Sequence, residues 1–107
     1  MTPEKRAAAV LGAVGVAMGA FGAHALGDHP RIESWETAAR YHLIHAVAMW
    51  VAPRLGARLF GAGILLFAGS LYALVLLDAP KLGMITPLGG LAFIAGWLSM
   101  LRNEPRP

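Results

Sequence analysis

The chain has no cysteine and little charge: Lys, Arg, Asp and Glu together make 14% of its 107 residues, against a usual share of roughly 25%. The first absence excludes disulfides, thiolate metal sites and cysteine nucleophiles. The second is uneven along the chain. Ala7 to Gly27, Leu59 to Leu77 and Leu82 to Leu101 carry no charge at all. A helix crosses the roughly 30 Å hydrocarbon core of a bilayer with about 20 apolar residues. A chain this short cannot bury three such segments in a water-soluble core, so lipid is the solvent for most of the protein. The formal net charge of +3 does not indicate nucleic acid, because the basic residues sit at the ends of apolar runs and form no stripe.

The first run could pass for a secretory signal, with Lys5 and Arg6 ahead of it and Ala23-His24-Ala25 resembling a cleavage site. Signal cores are about 7 to 15 residues long, and this run is longer, so an uncleaved first span is expected. A fourth span lies between the obvious ones. Tyr41 to Pro53 is uncharged, and upstream Ser34 is a good N-cap, Glu36 suits the first turn, and Glu36 and Arg40 are spaced to pair. Pro53 and Gly56 are expected to end this helix. The fold expected is an all-α membrane domain over residues 1–107, with four transmembrane helices at about 7–26, 34–52, 59–77 and 84–101 in an antiparallel bundle.

Basic residues set the orientation. Lys5, Arg6, Arg54, Arg58, Arg102 and Arg106 fall on one side, and Arg31, Lys81 and Arg40 on the other, six against three. Both termini are therefore expected in the cytoplasm, with Trp35 at the outer interface and Trp50 and Trp97 towards the inner one. Small residues supply the packing code. Ala8, Gly12, Gly15, Gly19 and Gly22 form a heptad seam, and Gly89, Ala92, Gly96 and Ser99 repeat it on the last helix. Such seams let helix backbones approach closely. They are expected to hold the bundle together, with Gly15 and Gly19 against a neighbouring backbone. The alternative is that one seam faces a second copy.

Polar residues inside spans are costly and each needs a reason. On the second helix Trp35, Ala38, His42, His45, Met49 and Ala52 share a heptad stripe, so His42 and His45 share a face. With a rise of about 1.5 Å per residue, both lie within roughly 5 Å of the midplane, Ser70 and Tyr72 slightly outward of it, and His24 and Thr86 about 10 Å out. These six residues are the ligand-binding candidates, forming a polar column open to the outer surface in which His24, His45 and Tyr72 converge. The competing reading is structural hydrogen bonding, since a neutral imidazole donates one bond and accepts another. Metal or haem held by His24, His42 and His45 is a further reading, but no carboxylate or thiolate lies within a span to complete a zinc site. No metal, cofactor or catalytic residue is assigned. Thr86-Pro87 reads as N-cap and N1, yet a helix from there to Leu101 is only about 22 Å long. Either the helix starts near Lys81 with a proline kink, which is favoured, or residues 82–86 run extended inside the protein.

Four blocks, one per span, carry a family resemblance. They are Gly19-Ala20-Phe21-Gly22-Ala23-His24-Ala25-Leu26, Tyr41-His42-Leu43-Ile44-His45-Ala46, Phe67-Ala68-Gly69-Ser70-Leu71-Tyr72, and Ile85-Thr86-Pro87-Leu88-Gly89-Gly90 continuing to Gly96-Trp97. In this order they resemble the domain-of-unknown-function 423 family, also termed uncharacterised protein family 0382. The resemblance implies a multi-span protein of bacterial inner membranes with eukaryotic relatives, and brings no reaction or ligand. The matching positions are His24, Tyr41, His45, Gly69, Ser70, Tyr72, Thr86, Pro87 and Trp97. Ala68 stands where the family pattern has Ser, which weakens any scheme needing two hydroxyls there. His42 falls where the pattern is looser, so His24 with His45 is favoured over the His42/His45 pair.

The expected function is that of a small, non-enzymatic integral membrane protein whose outward-facing polar pocket binds a small molecule or a lipid headgroup. The alternatives are an oligomeric transport or permeation component, and a metal- or haem-dependent membrane enzyme. The expected partner is the lipid bilayer, with a second copy of the chain in a homo-oligomer as the alternative to a lone bundle, and not nucleic acid.

Overall fold

Thr2 and Pro3 start the first helix four residues earlier than the charge-free run. The Thr2 side chain accepts the Lys5 amide at 3.1 Å, and Pro3 takes the first helical position, where its missing N–H costs nothing. In the computed structural model, which describes residues 1–103, this helix, α1, runs Pro3–Ala25. Helix α2 is Ile32–Val51. Helix α3 is Arg54–Leu76 and contains a π-helical turn at Ile64–Ala68. Helix α4 is Thr86–Ser99, preceded by a 3₁₀ turn over Pro80–Met84 and followed by another over Met100–Asn103. Arg106, counted in the charge bias, lies outside the described residues. No strand occurs among them.

The four expected helices are all present; their boundaries differ in instructive ways. Helix α2 starts at Ile32 after Arg31, so Ser34 is inside the first turn and its amide bonds the Arg31 carbonyl at 3.1 Å. Among the described residues Glu36 and Arg40 form no ion pair. Pro53 separates two helices rather than ending one: α2 stops at Val51, Pro53 is the N-cap of α3, and Gly56 is buried inside α3. Residues 80–84 are neither a kinked α-helix nor extended. They coil as a 3₁₀ turn, and with α4 they complete a 23-residue span, Pro80–Arg102. Thr86 caps nothing, because Ile85 occupies the N-cap position.

The end of α3 is set by Asp78, whose φ of 51° is left-handed. The Ala79 amide reaches back to the Leu74 carbonyl at 3.0 Å and the Asp78 amide to Val75 at 3.4 Å, the paired bonds of a Schellman cap. The exposed Asp78 carboxylate also accepts from Arg31 Nε at 3.0 Å. At the opposite end Glu4 of α1 meets Arg58 and Arg54 of α3 at 3.2 and 3.8 Å. Ion pairs thus tie the α1–α2 connection to the α3–α4 connection, and the start of α1 to the start of α3.

Helices α2 and α3 form the centre. Helix α1 packs on α2, α4 packs on α3, and α1 and α4 share no substantial contact. The expected stripe on α2 faces inward: Trp35, Ala38, His42, His45 and Met49 are all buried. The α1 seam is half as wide as expected. Ala8, Gly15 and Gly22, seven residues apart, are buried against α2. Gly12 and Gly19 face open space, with nothing within 4 Å of an added Cβ. Gly15 meets Leu43 and His42 side chains rather than backbone. Gly22 makes room for an indole: a Cβ there would stand 2.5 Å from Trp35 Cδ1. Trp35 is accordingly a core residue, 1% exposed, and not an interface marker. The α4 seam packs as expected through Gly89, Gly96 and Ser99.

Candidate functional site

His42 is clamped from two sides. Its Nε2 lies 2.8 Å from the Leu11 carbonyl of α1 and its Nδ1 lies 2.8 Å from the Tyr72 hydroxyl of α3. A carbonyl only accepts, so Nε2 carries the proton. The neutral ring then accepts the Tyr72 proton at Nδ1, and one imidazole joins three helices. The Trp35 indole N–H donates to the Met18 carbonyl at 2.7 Å, and its ring packs 4.6 Å from that of Tyr72.

His45, one turn further along the same buried stripe, reaches α4 instead. Its Nδ1 lies 2.8 Å from the Tyr41 carbonyl, and its Nε2 lies 3.0 Å from the Trp97 indole nitrogen of α4. The indole can only donate, so Nε2 must hold a lone pair and the proton sits on Nδ1. The two histidines are opposite tautomers, each with both nitrogens engaged. Neither offers a lone pair to a metal, and among the described residues no three His, Cys, Asp or Glu side chains gather into a metal-holding group.

Around His45 the rings stack. Phe93 lies 3.7 Å from it at 12°, and Tyr41 lies 6.0 Å from it at 6°. These rings, with Phe67, Gly90, Ile94 and Trp97, line a groove of about 410 Å³ between α2 and α4. The α2 and α4 backbones stand apart here, and side chains bridge the gap over the floor that α3 provides. Tyr41 is 40% and Trp97 47% exposed, so the groove opens sideways. The π turn of α3 contributes Phe67, whose ring lies 4.9 Å from Tyr41 and 5.4 Å from Phe93. Gly89 lets α4 close on this turn, because a Cβ at Gly89 would run into the Phe67 backbone.

Beside the π turn, the Ser70 hydroxyl donates to the Phe67 carbonyl at 3.0 Å. Its one proton is thereby used, so in the 2.6 Å contact between the hydroxyls of Ser70 and Thr86 the Thr86 hydroxyl donates. The residues expected to form one column therefore separate into three groups: His42 with Tyr72, Ser70 with Thr86, and His45 with Trp97. His24 belongs to none. It is exposed, because α1 turns Gly22 towards α2 and His24 follows about 200° further around the helix. Among the described residues no buried side-chain nitrogen or oxygen lacks a hydrogen-bond partner. The groove residues Phe67, Gly90 and Phe93 were not foreseen as site residues. Tyr41 and Trp97 were flagged by the family pattern alone.

Among the described residues, three long apolar helices, a fourth helix threaded between them and buried side-chain polar groups that all have partners define a small integral membrane protein. Residues 18–90 match the model of the family described as "Protein of unknown function (DUF423)", and the chain belongs to that family. Among its relatives is the UPF0382 membrane protein YwdK of Bacillus subtilis, 40% identical over 111 residues spanning 86% of this chain and 90% of the relative. The UPF0382 membrane protein SAB0533 of Staphylococcus aureus is 38% identical, covering 86% and 89%. The UPF0382 membrane protein C1782.12c of Schizosaccharomyces pombe is 35% identical, covering 88% and 94%. No solved structure matches the chain.

Proposed function

We propose that this protein is a non-enzymatic binding protein of the bacterial inner membrane, with both termini in the cytoplasm. In this reading it takes a flat, lipid-soluble molecule sideways from the bilayer into the groove between α2 and α4. The observation that carries the proposal is the stack of rings. Tyr41, His45 and Phe93 are nearly parallel, at 6°, 12° and 18° to one another, and a planar ring ligand extends such a stack. The volume of about 410 Å³ falls within the roughly 300–1,000 Å³ of small-molecule sites. His45 is the candidate that faces the ligand. His42, Tyr72, Ser70 and Thr86 act at one remove by fixing α3 and α4. The cytoplasmic placement of the termini rests on the excess of basic residues at that end.

Gly90 gives the test. A Cβ there meets only Phe67 Cδ2, at 3.9 Å, so Gly90→Leu extends into the groove without a backbone clash. Organic extracts of the purified native protein are expected to carry a ring-bearing small molecule in near-stoichiometric amount, and extracts of an equally stable Gly90→Leu protein are expected to lack it. Identical extracts from the two proteins would remove the proposal. A dimer in detergent that Gly90→Leu dissociates would assign the groove to a second copy instead.

A further inference from the structure

The ends of α1 and α3 that meet at Glu4 hold an excess of positive charge. Arg54 and Arg58 pair with the Glu4 carboxylate, and Lys5 and Arg6 follow Glu4 directly in sequence. Glu4 is 13% exposed, and both arginines, 69% and 66% exposed, approach it through Nε. A guanidinium has five N–H donors, so each keeps its terminal amino groups for another acceptor. A hollow of about 250 Å³ opens between Lys5, Glu4 and Arg54, with Met49, Ala52 and Pro53 beneath. The first turn of α3 borders it, and Pro53 supplies no side-chain cap for that turn. Uncapped amides at a helix start add partial positive charge.

A second hollow of about 210 Å³ runs along the α1–α2 face from Trp50 past Val47 and Ala46 to Gly12. Lys5 joins the two, its Nζ standing 4.9 Å from the centre of the Trp50 ring. The apolar hollow is open at Gly12, where an added Cβ would meet nothing within 4 Å. Tryptophan favours the headgroup level of a bilayer, which places the basic hollow at that level and the apolar one beneath it, along the acyl chains.

We propose that the joined hollows bind one anionic phospholipid of the leaflet at the terminal end of the bundle. Its phosphate is held by Lys5 and Arg54, and one acyl chain lies over Gly12 between α1 and α2. Basic pockets between transmembrane helices suit such headgroups, and the charge here is in excess of what Glu4 neutralises. The open seam position Gly12 is thereby explained as part of a lipid groove rather than a helix contact. The site is separate from the α2–α4 groove and shares no residue with it.

The experiment is native mass spectrometry of the full chain from detergent, titrated with phosphatidylglycerol or phosphatidylcholine. The native protein is expected to retain phosphatidylglycerol preferentially. Lys5→Gln/Arg54→Gln is expected to lose that preference by roughly 10- to 30-fold, the effect of removing two basic charges at an anionic headgroup. Gly12→Leu, which enters open space, is expected to lower retention of both lipids, with its thermal unfolding in detergent as the folding control. Phosphatidylglycerol retention unchanged in the double variant overturns the proposal. Displacement of the lipid by millimolar inorganic phosphate also overturns it, and identifies a free-anion site.

Discussion

Replacing Gly89 with alanine tests the crossing of α4 over the π turn of α3, where an added Cβ would run into backbone. The added Cβ would fall inside contact distance of the Phe67 amide nitrogen and stand 2.7 Å from both Phe67 Cα and Cβ. Carbon atoms rest at about 3.5–4.0 Å, so α4 must retreat from α3 by roughly 1 Å. Two of the three obstructing atoms are backbone, so no rotamer change relieves them. Overpacking of this kind costs about 1–3 kcal/mol, against a gain of up to about 1 kcal/mol for alanine over glycine in a helix. With the full helix gain subtracted, the net expectation is a loss of about 0–2 kcal/mol. The same retreat stretches the 2.6 Å Ser70–Thr86 and 3.0 Å His45–Trp97 bonds. Gly19→Ala is the matched control, because a Cβ there meets nothing within 4 Å and only the helix gain remains. Unfolding by sodium dodecyl sulfate in mixed micelles, followed by circular dichroism, compares the two. If Gly89→Ala unfolds at or above the midpoint of Gly19→Ala, the backbone crossing is not a stabilising contact.

Tyr72→Phe leaves His42 Nδ1 without its donor and should cost about 0.6 kcal/mol, with about 1.7 as the upper end for interhelical hydrogen bonds in membranes; the same unfolding titration reads it, and a gain in stability would contradict the pairing. Solid-state nitrogen NMR of labelled histidine should show His42 protonated on Nε2 and His45 on Nδ1, both neutral, and Trp97→Phe should perturb the His45 signal alone; matching tautomers for the two rings would rule out the hydrogen-bond assignment. Asp78→Gly relieves a left-handed residue, worth up to about 1 kcal/mol, and gives up an exposed ion pair worth about 0–1 kcal/mol. It should therefore be neutral to mildly stabilising, whereas Asp78→Val should lose more than about 1 kcal/mol, and equal melting of the two variants would argue against the cap.

The helices were legible because charge is absent from membrane spans, and a run such as Leu59 to Leu77 needs no further evidence. Their starts were harder to read. Thr2-Pro3 and Pro53-Arg54 are ordinary starting signals, yet each lies on the charged side of a run and so outside the segment that hydrophobicity marks. The stripe through His42 and His45 was readable from helical periodicity. Which direction each ring faces was not, because positions one turn apart on α2 meet different neighbours, Leu11 and Tyr72 for one and Trp97 and Phe93 for the other. The glycine seam misled in one respect. A spacing of three and four identifies a face wide enough for a helix, but Gly12 and Gly19 lie at the edge of that face, and only the positions seven apart are covered. The π turn left no mark in the sequence, because Ile64-Leu65-Leu66-Phe67-Ala68 is equally compatible with an α-helix.

That turn has a consequence for how the chain tolerates changes in length. A π turn accommodates one residue more than the α-helix that would replace it, while the helix on either side continues. Deleting exposed Leu65 should therefore restore a regular helix and leave Phe60 on one side, and Ser70 and Tyr72 on the other, still aimed at their partners. A deletion at Ala62 would instead rotate everything beyond it by about 100° and carry Tyr72 away from His42. Within α3 the stretch Ile64–Ala68 is thus the place where a residue can be lost without moving the rest of the helix out of phase.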